Sequence, residues 1–201
     1  MCGIVCIINI DGKDTNQAED LHRMTEVMKH RGPNDVGYWL LSSSGQHSYG
    51  GDETPFNISM IDSAFEHKSH IAFGHRRLSI IDLSVKGHQP MSYADRYSII
   101  FNGEIYNYLE LKSELTTMGY KFATDTDTEV IMASYDHWGH DCLNKFNGMW
   151  SFVCYDNQKK QLFISRDRFG IKPLYYYQDG KIIIFASEIK SILINSTGFG
   201  P

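Results

Sequence analysis

The chain has 201 residues, 42% hydrophobic and 21% charged, with a formal net charge of −5. That balance fits a packed core in one domain, or at most two small ones, and excludes a disordered chain; without a long run of either sign it also excludes a nucleic-acid stripe or a polybasic membrane patch. No apolar stretch approaches the ~20 residues of a membrane span, and no signal peptide is visible.

Met1 is followed by Cys2, Gly3 and an apolar run, and residues 3–10 read as a buried strand ended by Asp11-Gly12. Cys2 admits two readings. It is a small apolar residue opening a strand. Alternatively, removal of Met1 would leave a thiol and a free α-amine on one residue. The amine, with a reference pKa of about 7.7–8.0, is partly neutral near pH 7 and can serve as base for its own thiol. Residues 15–30 read as a helix with Leu21, Met24 and Met28 on one face; His30 and Arg31 close it, Gly32 takes the C′ position and Pro33 follows. A strand is expected at 36–41. Residues 42–70 have loop chemistry and weak periodicity, and are expected to form a partly mobile insertion with a short helix near 57–66.

Strands are expected at 71–76 and 97–101, then a helix at 107–118 that ends at Gly119. Thr126-Asp127-Thr128-Glu129 is a capping box opening a helix that carries Ile131, Tyr135 and Trp138. Four strands at 149–156, 161–166, 173–177 and 182–186 and a short helix at 187–193 close the chain, and residues 195–201 read as a linker or truncation end. Hairpin spacing between helical blocks predicts an α+β layered domain with antiparallel sheets. Cys2, Cys6, Cys142 and Cys154 are scattered, which predicts free thiols in a reducing, cytoplasmic compartment. His67, His70 and His75, like His137, His140 and Cys142, lack a strong zinc spacing, so no metal site is expected.

Four segments concentrate chemistry: His30-Arg31-Gly32-Pro33; Gly74-His75-Arg76-Arg77-Leu78-Ser79-Ile80-Ile81-Asp82; Phe101-Asn102-Gly103-Glu104-Ile105-Tyr106-Asn107; and Arg166-Asp167-Arg168-Phe169-Gly170-Ile171-Lys172-Pro173. With Met1-Cys2-Gly3-Ile4 they resemble the glutaminase domain of class II glutamine amidotransferases, of the asparagine synthetase type. The resemblance runs from Cys2 to about Leu193 and makes residues 2–194 one glutaminase domain. It implies an N-terminal-nucleophile αββα sandwich of two antiparallel sheets between helical layers, and hydrolysis of L-glutamine to glutamate and ammonia.

The roles it implies are chemically coherent. Cys2 is nucleophile and α-amine base, forming a thioester. Asn102 and Gly103 form the oxyanion hole; read alone, the pair is equally an Asn-Gly hairpin turn. Arg77 takes the substrate α-carboxylate, with backbone groups of Leu78, Ser79, Ile80 and Ile81 beside it; read alone, Arg77 is a surface ion pair, and strand alternation sends Arg76 to the opposite face. Glu104 and Asp127 take the α-ammonium, although an acid in a first helical turn is favoured by the helix dipole alone. Glu129 is expected to partner Thr126 in the capping box, and Arg31 to brace the terminal Cys. The 166–173 segment is expected to be turn chemistry without a catalytic role.

No cofactor is expected for the glutaminase step. The resemblance places ATP and Mg in a synthetase domain, C-terminal or separate, that receives the ammonia; no Ser-Gly-Gly-x-Asp-Ser pyrophosphate loop occurs in this sequence. A fragment of a longer, homodimeric protein is thus compatible with the chain. The 42–70 insertion resembles relatives of surface-polysaccharide or sugar modification, which leaves aspartate or another carboxylate as the acceptor of the parent reaction. Two rival functions remain: a catalytically silent glutamine-binding regulatory module, and another N-terminal-nucleophile amidohydrolase.

Overall fold

A computed structural model describes residues 1–80 and 82–194. In chain order the elements are β1 (Gly3–Asn9), β2 (Thr15–Asn16), α1 (Ala18–Glu26), β3 (Asp35–Ser42), β4 (Gly45–Gly50), β5 (Lys68–Ser69), β6 (Ile71–Arg77), β7 (Met91–Tyr93), β8 (Tyr97–Ile105), α2 (Tyr108–Thr117), α3 (Asp127–Trp138), α4 (Cys142–Lys145), β9 (Gly148–Asp156), β10 (Gln161–Arg166), β11 (Tyr175–Gln178), β12 (Ile182–Ala186) and α5 (Ile189–Leu193). Two antiparallel sheets dominate, with strand orders β11-β12-β1-β6-β3-β4 and β10-β9-β8-β7.

The apolar strands have both faces covered, and strand alternation divides their side chains between layers. Val5 and Ile7 of β1 meet Leu21 and Met24 of α1, while Ile4 and Cys6 point between the sheets. That middle layer also holds Trp39, Phe73, Ile100, Val153 and Tyr155. On the far side, Ile99, Phe101 and Phe152 pack beneath Leu111 and Leu115 of α2 and Ile131 of α3. Each large apolar side chain removed from water contributes about 1.5–3 kcal/mol. The order of layers is helix, sheet, sheet, helix, as the resemblance implies.

Three local expectations need correction. Helix α1 ends at Glu26, and Gly32 is not a left-handed C′ residue. Gly32 is required by close approach: a Cβ there would lie 2.4 Å from the Arg76 carbonyl carbon. Residues 42–70 are largely docked. Polar β4 pairs with β3 along its whole length, and Tyr49, Ile61 and Ala64 are buried in the α1-side core. Asn102 and Gly103 lie inside a strand, since β8 continues to Ile105 opposite Gly148. By contrast Gly119 follows α2 with a φ of +95°, as a C′ glycine should. The expected linker at 195–201 lies outside the described residues.

Candidate active site

Cys2 precedes β1, a central strand of the larger sheet, and the Gly3–Arg76 register sets it beside the end of β6. Its Sγ accepts a hydrogen bond from the Leu78 N–H at 3.4 Å and lies 3.7 Å from the Leu78 carbonyl oxygen. Burial pushes the thiol above its ordinary pKa; the Leu78 N–H and the positive charges of the chain terminus, Arg77 and Lys172 oppose that rise. Arg31 donates from Nε to the Cys2 carbonyl at 2.8 Å and from Nη1 to Glu188 Oε1 at 3.0 Å. Met1 is attached, and the Cys2 nitrogen is therefore an amide.

Beside Cys2 lies a pocket of about 110 Å³, which Arg77, Leu78, Asn102, Gly103, Glu104 and Asp127 also line. Strand β8 of the second sheet brings in Asn102 and Gly103. Asn102 is 1% exposed, and its Nδ2 has no hydrogen-bond partner among the described residues. A buried amide donor left unpaired costs about 1–3 kcal/mol, and it leaves Asn102 with unused bonding capacity. Gly103 is forced by crowding: a Cβ would lie 2.3 Å from the Met149 carbonyl oxygen.

Strand β6 separates two arginines. Arg76 is fully buried against the α1 layer, bonded to Glu26, to Glu53 Oε2 at 2.7 Å and to the Thr25 carbonyl. Arg77 faces the pocket and has no carboxylate partner among the described residues. Its Nη1 donates to the Ser84 carbonyl at 2.9 Å and its Nη2 to the Asp82 carbonyl, which ties residues 82 and 84 to the end of β6. Gly87 makes room for it, because a Cβ there would sit on the guanidinium. The surface ion-pair reading is thereby excluded. Leu78 and Ile80 line the pocket, whereas Ser79 does not, its N–H being bonded to Asn34 Oδ1 at 3.1 Å. Ile81 lies outside the described residues.

Asp127 opens α3 and is 5% exposed; its Oδ2 accepts from the Ile105 N–H at 2.9 Å. Burial raises its carboxyl to about 6, and the neighbouring Glu104 charge adds to the rise. A buried acid beside a second acid suits a substrate cation better than a helix cap. The capping box is half formed. Thr126 Oγ1 accepts from the Glu129 N–H at 3.4 Å, but the Glu129 carboxylate bonds the N–H groups of Ala123 and Thr124 instead of returning to Thr126.

Several lining residues carry no signal in the sequence. Gln89 accepts from the Phe101 N–H at 2.7 Å and donates to Thr128 Oγ1 at 3.3 Å, tying β8 to α3. Lys172, from the segment expected to be turn chemistry, is 6% exposed and lines the pocket beside Met1 and Cys2. A lysine between a tight turn and a proline is the one available hint. No metal-binding group of His, Cys, Asp and Glu occurs among the described residues, and none of their helices is long and apolar enough to cross a membrane.

Residues 62–199 match the model of a glutamine amidotransferase domain. The chain is 43% identical over 208 residues to a putative glutamine-hydrolysing asparagine synthetase 2 of Methanocaldococcus jannaschii, covering 96% of this chain and 35% of that protein. It is 40% identical over 197 residues to the glutamine-hydrolysing asparagine synthetase 1 of Bacillus subtilis, covering 96% and 27%. The chain thus spans about a third or less of the length of these relatives. A solved structure of glutamine phosphoribosylpyrophosphate amidotransferase from B. subtilis, complexed with ADP and GMP, superimposes with a TM-score of 0.76 at 21% identity, covering 96% of this chain and 43% of that one. At that identity the likeness concerns the fold alone.

Proposed function

We propose that this chain, which belongs to the glutamine amidotransferase domain family, hydrolyses L-glutamine to glutamate and ammonia through a thioester on Cys2. Removal of Met1 is the first requirement, because an amide nitrogen cannot act as a base. The thiol proton then passes to the freed α-amine. The sulfur electron pair bonds the carbonyl carbon (Cδ) of the glutamine side-chain amide, and the carbonyl pair moves onto oxygen. As the oxyanion collapses, the proton is handed to the departing nitrogen, giving ammonia and a thioester. Water, deprotonated by the same amine, opens the thioester to glutamate and restores the thiol.

The single observation that carries this reading is the unpaired Nδ2 of Asn102 in a wall of the pocket that holds Cys2. With the Gly103 N–H it is suited to an oxyanion, a charge absent until the reaction begins. Glu104 and Asp127 are suited to the substrate ammonium, and Arg77 and its loop to the α-carboxylate. The step needs no cofactor. In a longer parent protein in the cytoplasm the ammonia would pass to an ATP- and Mg-dependent synthetase domain; the relatives' names, glutamine-hydrolysing asparagine synthetases, support a synthetase partner. Glutamate release by the Met1-free chain, and its loss in Cys2→Ala, tests the proposal. Glutamine binding without release would favour a regulatory module, and release undiminished by Cys2→Ala would remove the nucleophile.

A further inference from the structure

The loop between β10 and β11 is unusually well anchored. Asp167 accepts hydrogen bonds from four backbone N–H groups, those of Trp150, Phe169, Ile171 and Lys172, at 2.9–3.3 Å. Arg166 donates from Nε to the Lys172 carbonyl at 2.8 Å and from Nη2 to the Gly170 carbonyl at 2.6 Å. This lattice fixes the backbone of Lys172 at both its N–H and its carbonyl. Its side chain turns inward, 6% exposed, to line the pocket of Cys2. Among the described residues its Nζ has no hydrogen bond and no ion pair.

The fold uses six hydrogen bonds to fix the backbone that carries this ammonium beside the pocket. Meanwhile Cys2 must become a thiolate in a place where burial favours the thiol. Arg77, and the freed α-amine once it holds the thiol proton, are the other positive groups beside the sulfur. Arg77 of β6 gives donors to the 82 and 84 carbonyls, and Arg31 to the Cys2 carbonyl and Glu188. His75 of β6 is kept neutral by burial. Asp82, Glu104 of β8 and Asp127 of α3 line the same pocket and disfavour a negative sulfur.

We propose that Lys172 is a positioning residue of the reaction: its unpaired ammonium adds, beside Arg77, to the positive charge that stabilises the Cys2 thiolate. This inference rests on Cys2 as nucleophile, but its test does not require turnover. The pH dependence of iodoacetamide alkylation at Cys2, read by peptide mass spectrometry on chain lacking Met1, reports the thiol directly. Buried Cys6, Cys142 and Cys154 serve as internal controls. Loss of a facing charge moves such a midpoint by about one pH unit or more. Lys172→Met should therefore raise the alkylation midpoint by about that amount, and Lys172→Arg should restore it to the parent value. Lys172→Gln serves the same comparison should Lys172→Met not fold. An unchanged midpoint in the uncharged variants, or an equal shift in Lys172→Arg, overturns the proposal. A shifted midpoint in a chain that releases no glutamate would retain the Lys172 assignment and reject the glutaminase reading instead.

Discussion

Arg76 and Arg77 are adjacent in sequence and leave β6 in opposite directions. Arg76 enters the helical side of its sheet, where Glu26 and Glu53 neutralise it and it joins α1 to the 42–70 segment. Arg77 enters the pocket, where it holds only backbone carbonyls. One face of the strand is therefore electrically complete and the other is not. The complete face maintains the fold; the incomplete one has unfilled bonding capacity, and there the chemistry is expected.

Mutations on the two faces should separate stability from activity. The largest effect belongs to Arg76→Met, which leaves two acids without their buried partner and should cost about 3–5 kcal/mol in chemical denaturation; the folded fraction should keep its kcat. Asn102→Ala should do the reverse, lowering kcat about 10²–10³-fold with no loss of Tm, because its Nδ2 makes no bond in the resting protein. A fall in Tm would mean that Asn102 is a packing residue after all.

Asp127→Asn should raise KM about 10–100-fold, the worth of a charge-assisted hydrogen bond, with a smaller effect on kcat. Its pH behaviour adds a sign. The folded carboxyl titrates near 6, above its unfolded value. The folded state therefore binds more protons between the two, and this group's contribution to stability declines as pH rises towards 6. Asp127→Asn should accordingly gain more Tm at pH 7 than at pH 4. In the parent chain, KM for glutamine should rise as pH falls through 6, since the protonated acid no longer attracts the ammonium. The smallest effect is expected at the sheet edge. Tyr49→Phe removes only the 3.0 Å bond to His67 Nδ1 and should cost about 0.5–1.5 kcal/mol in stability without changing the kinetics.

Much of the site is legible through the family resemblance, whose motifs single out Cys2, Arg77, Asn102, Glu104 and Asp127, and these five line one pocket. The layered fold is legible because the buried strands are continuous apolar runs. What escapes is whatever depends on backbone approach or pairing. Gly32 reads as a helix stop because the Arg76 backbone lying against it is distant in sequence. Asn102-Gly103 reads as a turn because the extension of β8 depends on β9, more than forty residues later. Strand β4 reads as loop because an edge strand with an open face can be polar. Lys172 reads as part of a turn because only the Asp167 lattice reveals where its side chain goes.

Met1 itself forms part of the pocket wall. Anything fused ahead of it therefore begins beside the pocket and keeps the Cys2 nitrogen an amide. A purification handle compatible with turnover belongs at the other end or behind a protease that cleaves immediately before Cys2.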